Sequence, residues 1–208
     1  MVAGCSSSGR DFARPQSGSL ILGGTSPADA VAAFGEPARQ RQEPCDPNFG
    51  DNFDSLQPRP AALRRAALKG ELERLTYSFT RATLVVLPDQ ATARIRLLDL
   101  AFWKDKLVYY HYSSSFQQDA TDFDEAKARK FVRGRTTTSD VLNQLGTPGG
   151  QAIYPYIAHP NMRAYFYQYA TVGPRKGQVT LKHLELLFNA NDRLEQSYLV
   201  SEIKDGEG

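Results

Sequence analysis

Gly23-Gly24-Thr25-Ser26-Pro27-Ala28-Asp29-Ala30-Val31-Ala32-Ala33-Phe34-Gly35-Glu36-Pro37 returns, 111 positions later and without a gap, as Gly134-Arg135-Thr136-Thr137-Thr138-Ser139-Asp140-Val141-Leu142-Asn143-Gln144-Leu145-Gly146-Thr147-Pro148. Only a few letters are shared, but the physical roles repeat. Ser26 and Thr137 can each cap a helix, with Asp29 and Asp140 three residues on to complete a capping box, and Pro27 fits a first helical position. Ala30, Val31 and Phe34 form one apolar face, and Val141, Leu142 and Leu145 form its counterpart. Gly35 with Pro37 and Gly146 with Pro148 then stop each helix. One supersecondary unit is used twice, which divides the 208 residues into two related halves.

Each helix is followed by alternation of period two. In the first half Leu75, Tyr77 and Phe79 alternate with Arg74, Thr76 and Ser78, and strands are expected over Thr83–Leu87, Arg94–Trp103 and, after a Lys104-Asp105-Lys106 turn, Leu107–Ser113. In the second half Arg163–Thr171 and Gln178–Phe188 alternate around Gly173–Gly177. Leu98–Phe102 aligns with Leu184–Phe188, and Lys106-Leu107 with Arg193-Leu194. Residues 43–60, rich in Pro, Asp and Asn, read as a loop inserted in the first half only, followed by a helix over Ala61–Lys69. A further short helix begins near Asp122 and runs to about Lys130. The expected fold class is α+β, with two tandem helix-plus-antiparallel-sheet repeats. The expected divisions are a flexible tether over 1–18, a first repeat over 19–115, a second over 116–204 and a tail over 205–208.

The net charge is +2, with 25 basic and 23 acidic side chains, so no strong field points to nucleic acid. His111, His159 and His183 lie far apart and show no metal-ligand spacing. Asp46, Asn48, Asp51 and Asp54 only loosely imitate a calcium loop: the glycine falls at the fifth position, not the sixth, and Gln57 stands where glutamate is needed. No nucleophile elbow or phosphate-binding glycine pattern appears. A non-enzymatic protein without cofactor or metal is therefore expected.

Val2-Ala3-Gly4-Cys5, followed by a Ser/Gly run, resembles a bacterial lipobox, with Cys5 as the lipid attachment site. Together with the duplicated Gly/Thr/Gly/Pro skeleton and the strands closing on apolar-x-apolar-x-Phe, the chain resembles the SmpA/OmlA small outer-membrane lipoproteins, whose fold is similar to the repeat of the β-lactamase inhibitor protein. That resemblance implies a binding protein anchored by lipid on the periplasmic face of the outer membrane, with a protein partner in the cell envelope and a role in outer-membrane assembly or maintenance. It departs from the family in carrying two repeats. From the tandem inhibitor it departs in having only Cys5 and Cys45, which cannot supply disulfides within both repeats.

Strand alternation sets Asp99, Ala101 and Trp103 opposite Leu98, Leu100 and Phe102, and Phe166 opposite Tyr165, Tyr167 and Tyr169. Trp103, Tyr110, Tyr112 and Phe166 are the partner-binding candidates, since large aromatics dominate interface hot spots. The alternative for these rings is the junction between the halves. Lys127, Arg129, Lys130, Arg133 and Arg135 read as a solvated face. Two rival functions stand beside the envelope binding module: an inhibitor that covers an enzyme target, with Asp51–Asp54 as its inserting loop, and an enzyme or small-molecule binder with a closed polar pocket.

Overall fold

The computed structural model describes residues 5–16, 18–48, 61–83, 92–119, 121–172 and 179–204. In chain order they form β1 (Cys5–Ser8), α1 (Pro27–Phe34), β2 (Arg39–Pro44), β3 (Glu71–Thr83), β4 (Thr92–Trp103), β5 (Lys106–Ser114), α2 (Glu125–Ala128), α3 (Thr138–Leu145), β6 (Gly150–Ile153), β7 (Arg163–Val172), β8 (Val179–Phe188) and β9 (Leu194–Lys204).

The duplicated segment folds the same way in both places. Ser26 caps α1 and Thr137 caps α3, each closing a reciprocal capping box with Asp29 or Asp140. Gly35 and Gly146 end the helices at φ 82° and 77°, a left-handed conformation that favours glycine. Upstream, the Thr25 hydroxyl accepts from the Ile21 amide and the Thr136 hydroxyl from the Val132 amide, both at 2.8 Å. Each turn is then stapled to a later strand. Gly23 N–H donates to Leu107 O and Leu107 N–H to Thr25 O; Gly134 and Leu194 make the matching pair with Thr136.

The larger architecture differs from the expected fold. The α+β arrangement of two tandem helix-plus-antiparallel-sheet repeats is replaced by one nine-stranded antiparallel sheet that dominates the molecule. The three α-helices are short, at eight, four and eight residues. The strand order is β1-β3-β4-β5-β6-β7-β8-β9, with β2 also on β3. The reason lies in β6. It occupies the place in the second copy that β2 occupies in the first, but it pairs on both sides, with β7 and with β5. The halves thus share one ladder. Glycine at 149 and 150, where the first copy has Ala38 and Arg39, permits it. A Cβ at Gly150 would lie 2.4 Å from the Tyr110 carbonyl oxygen, and one at Gly149 would lie 2.6 Å from that of Tyr112.

Two further expectations change. Ala61–Lys69 contains only a 3-10 turn over Ala61–Leu63, because Leu63, Arg65 and Ala66 are drawn down onto the sheet and buried there. Residues expected as a flexible tether are packed: β1 pairs with Thr80–Thr83 of β3, and Phe12 meets Tyr77 and Tyr112 edge-on at 6.4 and 6.2 Å. Asp11 ion-pairs with Arg96, and Arg14 donates to the carbonyls of Asp119, Thr147 and Pro148. A polar composition concealed three side chains with buried or half-buried partners. The expected strand beyond Thr83, the loop residues 49–60 and the tail 205–208 lie outside the described residues.

Apolar packing occurs on both faces of the sheet. On the helix face α1 covers Leu75, Tyr77, Leu98, Leu100, Phe102 and Leu107 through Ala30, while α2 and α3 cover Tyr165, Tyr167, Leu184, Leu186 and Phe188 through Ala128 and Val141. On the opposite face a third cluster joins Leu72, Ala101, Tyr109, Ala152, Phe166 and Leu187 to a lid made by Cys45, Leu63, Tyr156 and Ile157.

Candidate functional site

The face opposite the helices is divided along its length. One part, bearing Leu72 and the row through Ala101, Tyr109, Ala152, Ala164 and Leu187, is sealed by that lid, with Tyr156 stacked on Tyr109 at 3.9 Å. Further along the strands, Ser78, Leu97, Ser113, Gln168, His183 and Val200 are half-exposed, and Ile95 is 40% exposed. Between them runs a boundary row fixed by strand register: Thr76, Asp99, His111, Gly150, Phe166, Glu185 and Tyr198.

Polar side chains of this row are tied to neighbours. Asp99 accepts from the Thr76 hydroxyl at 2.6 Å and pairs with Arg74 at 3.2 Å. Arg74 also reaches Glu43, which pairs with Arg65 at 2.6 Å and with Arg41. Burial opposes ionisation of Glu43, but the guanidiniums of Arg74, Arg65 and Arg41 outweigh it and hold the carboxyl below its ordinary range. At the far side His183 Nε2 lies 2.9 Å from Glu185 Oε1.

His111 stands in the middle. Its ring centroid is 6.0 Å from Phe166 and 6.4 Å from His183, and its Nε2 is buried with no hydrogen-bond partner. Burial pushes its pKa down to about 4, helped by His183 and Arg74 and opposed by Asp99 and Glu185. Sequence reading kept His111 and His183 apart because 72 positions separate them; only the β5–β6–β7–β8 ladder brings their rings together. Among the described residues no group of three or more His, Cys, Asp or Glu is placed to hold a metal ion.

The four aromatic candidates do not share a surface. Trp103 and Phe166 lie on the face opposite the helices. Trp103 is half-buried and packs over Gly70, where a Cβ would come within 2.7 Å of the ring. Phe166 is buried edge-on to Tyr109 at 5.6 Å. Tyr110 and Tyr112 lie on the helix face. Half-buried Tyr110 lines a cavity of about 80 Å³ with Arg14 and Gln151. Tyr112 is buried and donates its hydroxyl to Asp119 at 2.7 Å, beside the Arg96–Asp119 pair at 2.8 Å. Burial and the neighbouring carboxylate both raise the Tyr112 pKa. Cys5 is the first residue of β1 and pairs with Thr83. No helix among the described residues is long and apolar enough to cross a membrane.

Among solved structures the chain is similar to a candidate β-lactamase inhibitor protein from Streptococcus mutans, with 14% identity and a TM-score of 0.42, covering 86% of this chain and 83% of that one. No family model and no curated protein matches the chain, so the SmpA/OmlA resemblance rests on the sequence motif alone.

Proposed function

We propose that the chain is a non-catalytic protein-binding module of the bacterial cell envelope, held on the periplasmic face of the outer membrane by acylated Cys5, and that its partner docks on the unsealed part of the sheet face. The observation supporting the docking surface is the division of that face. A lid buries one part as core, while the part bearing Leu97, Ser113, Gln168, His183 and Val200 stays half-exposed. Its atoms sit on paired strands of fixed register, so little conformational freedom is lost on binding. Its boundary carboxylates each have a partner, Asp99 in Arg74 and Glu185 in His183. A surface of small hydroxyls and aliphatic side chains beside Gln168 and His183 suits a protein partner better than nucleic acid. An acyl group on Cys5 hangs from the first residue of β1, so the sheet end at Thr83 rests against the bilayer without a spacer.

The test is affinity capture from envelope extracts with wild type, Leu97→Glu and Ser113→Arg, alongside thermal unfolding. Both positions are half-exposed, so stability should change by less than about 1 kcal/mol. Loss of the captured protein with stability retained supports the docking face; undiminished capture removes it. For the anchor, Cys5→Ala should move the protein from the membrane to the soluble fraction, and equal distribution of the two forms refutes that part.

A further inference from the structure

The two ends of the sheet are finished differently. At one end the outer edge of β3 is occupied: β2 pairs with Glu71–Thr76, β1 pairs with Thr80–Thr83, and Gly9 lies against Ser78 between them. The covering strands are short, at four and six residues, and β2 presents Arg39, Gln40, Arg41 and Gln42 before stopping at Pro44. Short strands, charge and proline are the means by which a sheet edge resists further pairing. At the other end β9 runs for eleven residues and contains neither proline nor glycine. It pairs with β8; the Gly134–Thr136 turn takes the backbone N–H and C=O of Leu194, and beyond Leu194 no described strand lies on its outer side. A long edge free of proline, and free of charge from Gln196 to Ser201, leaves a row of backbone donors and acceptors open to another strand.

The sequence of β9 is complementary to itself. Set antiparallel to a second copy about Leu199, Ser197 faces Ser201, Tyr198 faces Val200, and Leu199 faces its own equivalent. The sides agree with the register against β8. Ser197, Leu199 and Ser201 oppose Leu186, Leu184 and Lys182, whereas Tyr198 and Val200 oppose Glu185 and His183 on the other face. A two-fold axis perpendicular to the sheet keeps each side with its like. Aromatic–β-branched cross-strand pairs are favourable, and this pairing forms two of them. Farther out Gln196 faces Glu202 and Glu195 faces Ile203, which is 68% exposed in the single chain. No like charges are opposed. We propose that β9 is a dimerisation edge, pairing antiparallel with β9 of a second copy about Leu199 and joining two nine-stranded sheets into one. An isologous contact of this kind closes on itself and uses up both open edges.

The experiment is sedimentation of the full chain from about 1 µM to about 1 mM. The expected result is a concentration-dependent species of twice the 23.1 kDa chain mass. Leu199→Lys and Leu199→Glu each set like charges opposite one another, and each alone should raise the dimer Kd by about tenfold or more, while an equimolar mixture of the two should recover it. Gln196→Glu opposes Glu202 across the axis and should weaken the dimer as well, without touching the helix-side core. If the Leu199 variants do not fold, Gln196→Glu decides. A monomer at every concentration overturns the proposal, including the case in which the monomer adds an extended peptide from another protein. A dimer indifferent to these substitutions overturns it too, because the contact then lies elsewhere.

Discussion

Acidification from pH 7 to pH 5 is expected to destabilise this fold chiefly through His111. In the folded chain the ring is held against Phe166 and His183, it faces Asp99 across the ladder, and its Nε2 has no partner. These surroundings favour the neutral imidazole and bring its pKa from 6.5 to about 4. Asp99 and Glu185 pull toward the charged form, but Asp99 is already committed to Arg74 and Thr76, and Glu185 lies against His183. Unfolded, the imidazole takes up a proton near 6.5, so between the two values the unfolded chain binds more protons than the folded one. Stability is therefore complete above pH 6.5, falls as the pH drops through the window, and levels off below about 4. At about 1.4 kcal/mol per pH unit, the loss is about 2 kcal/mol by pH 5 and about 3 kcal/mol by pH 4.

The assay is urea unfolding at pH 7, 6 and 5, followed by Trp103 fluorescence, for wild type and His111→Gln. Glutamine keeps a polar side chain of similar reach but does not titrate. The depressed carboxyls of Glu43 and Asp119 exert their effect at lower pH, and the comparison with His111→Gln separates this imidazole from the other two histidines. His111→Gln should lose about 2 kcal/mol less than wild type between pH 7 and pH 5. The same pH slope in both proteins would refute the argument from the buried, unpartnered Nε2.

Glu43→Gln should lower stability by about 3–5 kcal/mol, read by thermal unfolding, because it removes the carboxylate paired with buried Arg65 and leaves Arg74 to Asp99 alone. Gly150→Ala should cost more than about 2 kcal/mol, since its Cβ meets the Tyr110 backbone. Gly134→Ala, at φ 72° with open space around it, should cost about 1 kcal/mol; equal losses would show that close approach is not what the glycine at 150 provides. Phe166→Ala should cost about 3–5 kcal/mol as a buried ring, and a near-neutral result would return it to the list of surface candidates.

What the sequence makes legible here is what is decided locally. Ser26 with Asp29 and Thr137 with Asp140 sit three residues apart, and Gly35 and Gly146 follow directly, so both helices can be read from start to stop. Alternation likewise assigns Leu98, Leu100 and Phe102 to the helices and Ala101 and Trp103 to the other face. Burial of those same residues is not local. Tyr109 and Phe166 are covered by Cys45, Leu63, Tyr156 and Ile157, which come from aperiodic segments whose destination no pattern announces. The tether reading failed for the same reason, because a polar run gives no sign that Phe12 will rest on Tyr77 and Tyr112. One non-local signal was present and readable. The substitution of Ala38-Arg39 by Gly149-Gly150 between the copies marks a place where backbone must approach backbone.

The features that distinguish this molecule arise where the two copies differ. The shared segment builds the same capped helix and stapled turn twice, and by symmetry it would leave two equivalent half-sheets. Gly149 and Gly150 break that symmetry by letting β6 join β5, which creates the single ladder and sets His111 beside Phe166 and His183. The segment between β2 and β3 in the first half, with the end of β2, breaks it again. Cys45, Leu63, Arg65 and Ala66 fold over the sheet, meet Tyr156 and Ile157 from the second half, and seal one part of the face while leaving the rest open. Arg65 shows how closely the two events are linked. It holds Glu43 on the edge strand of the first copy and lies 5.1 Å over the Tyr156 ring of the second, so one side chain secures the lid from both halves. The open surface is bounded by that lid, and its position follows from the asymmetry between the copies, not from the motif they share.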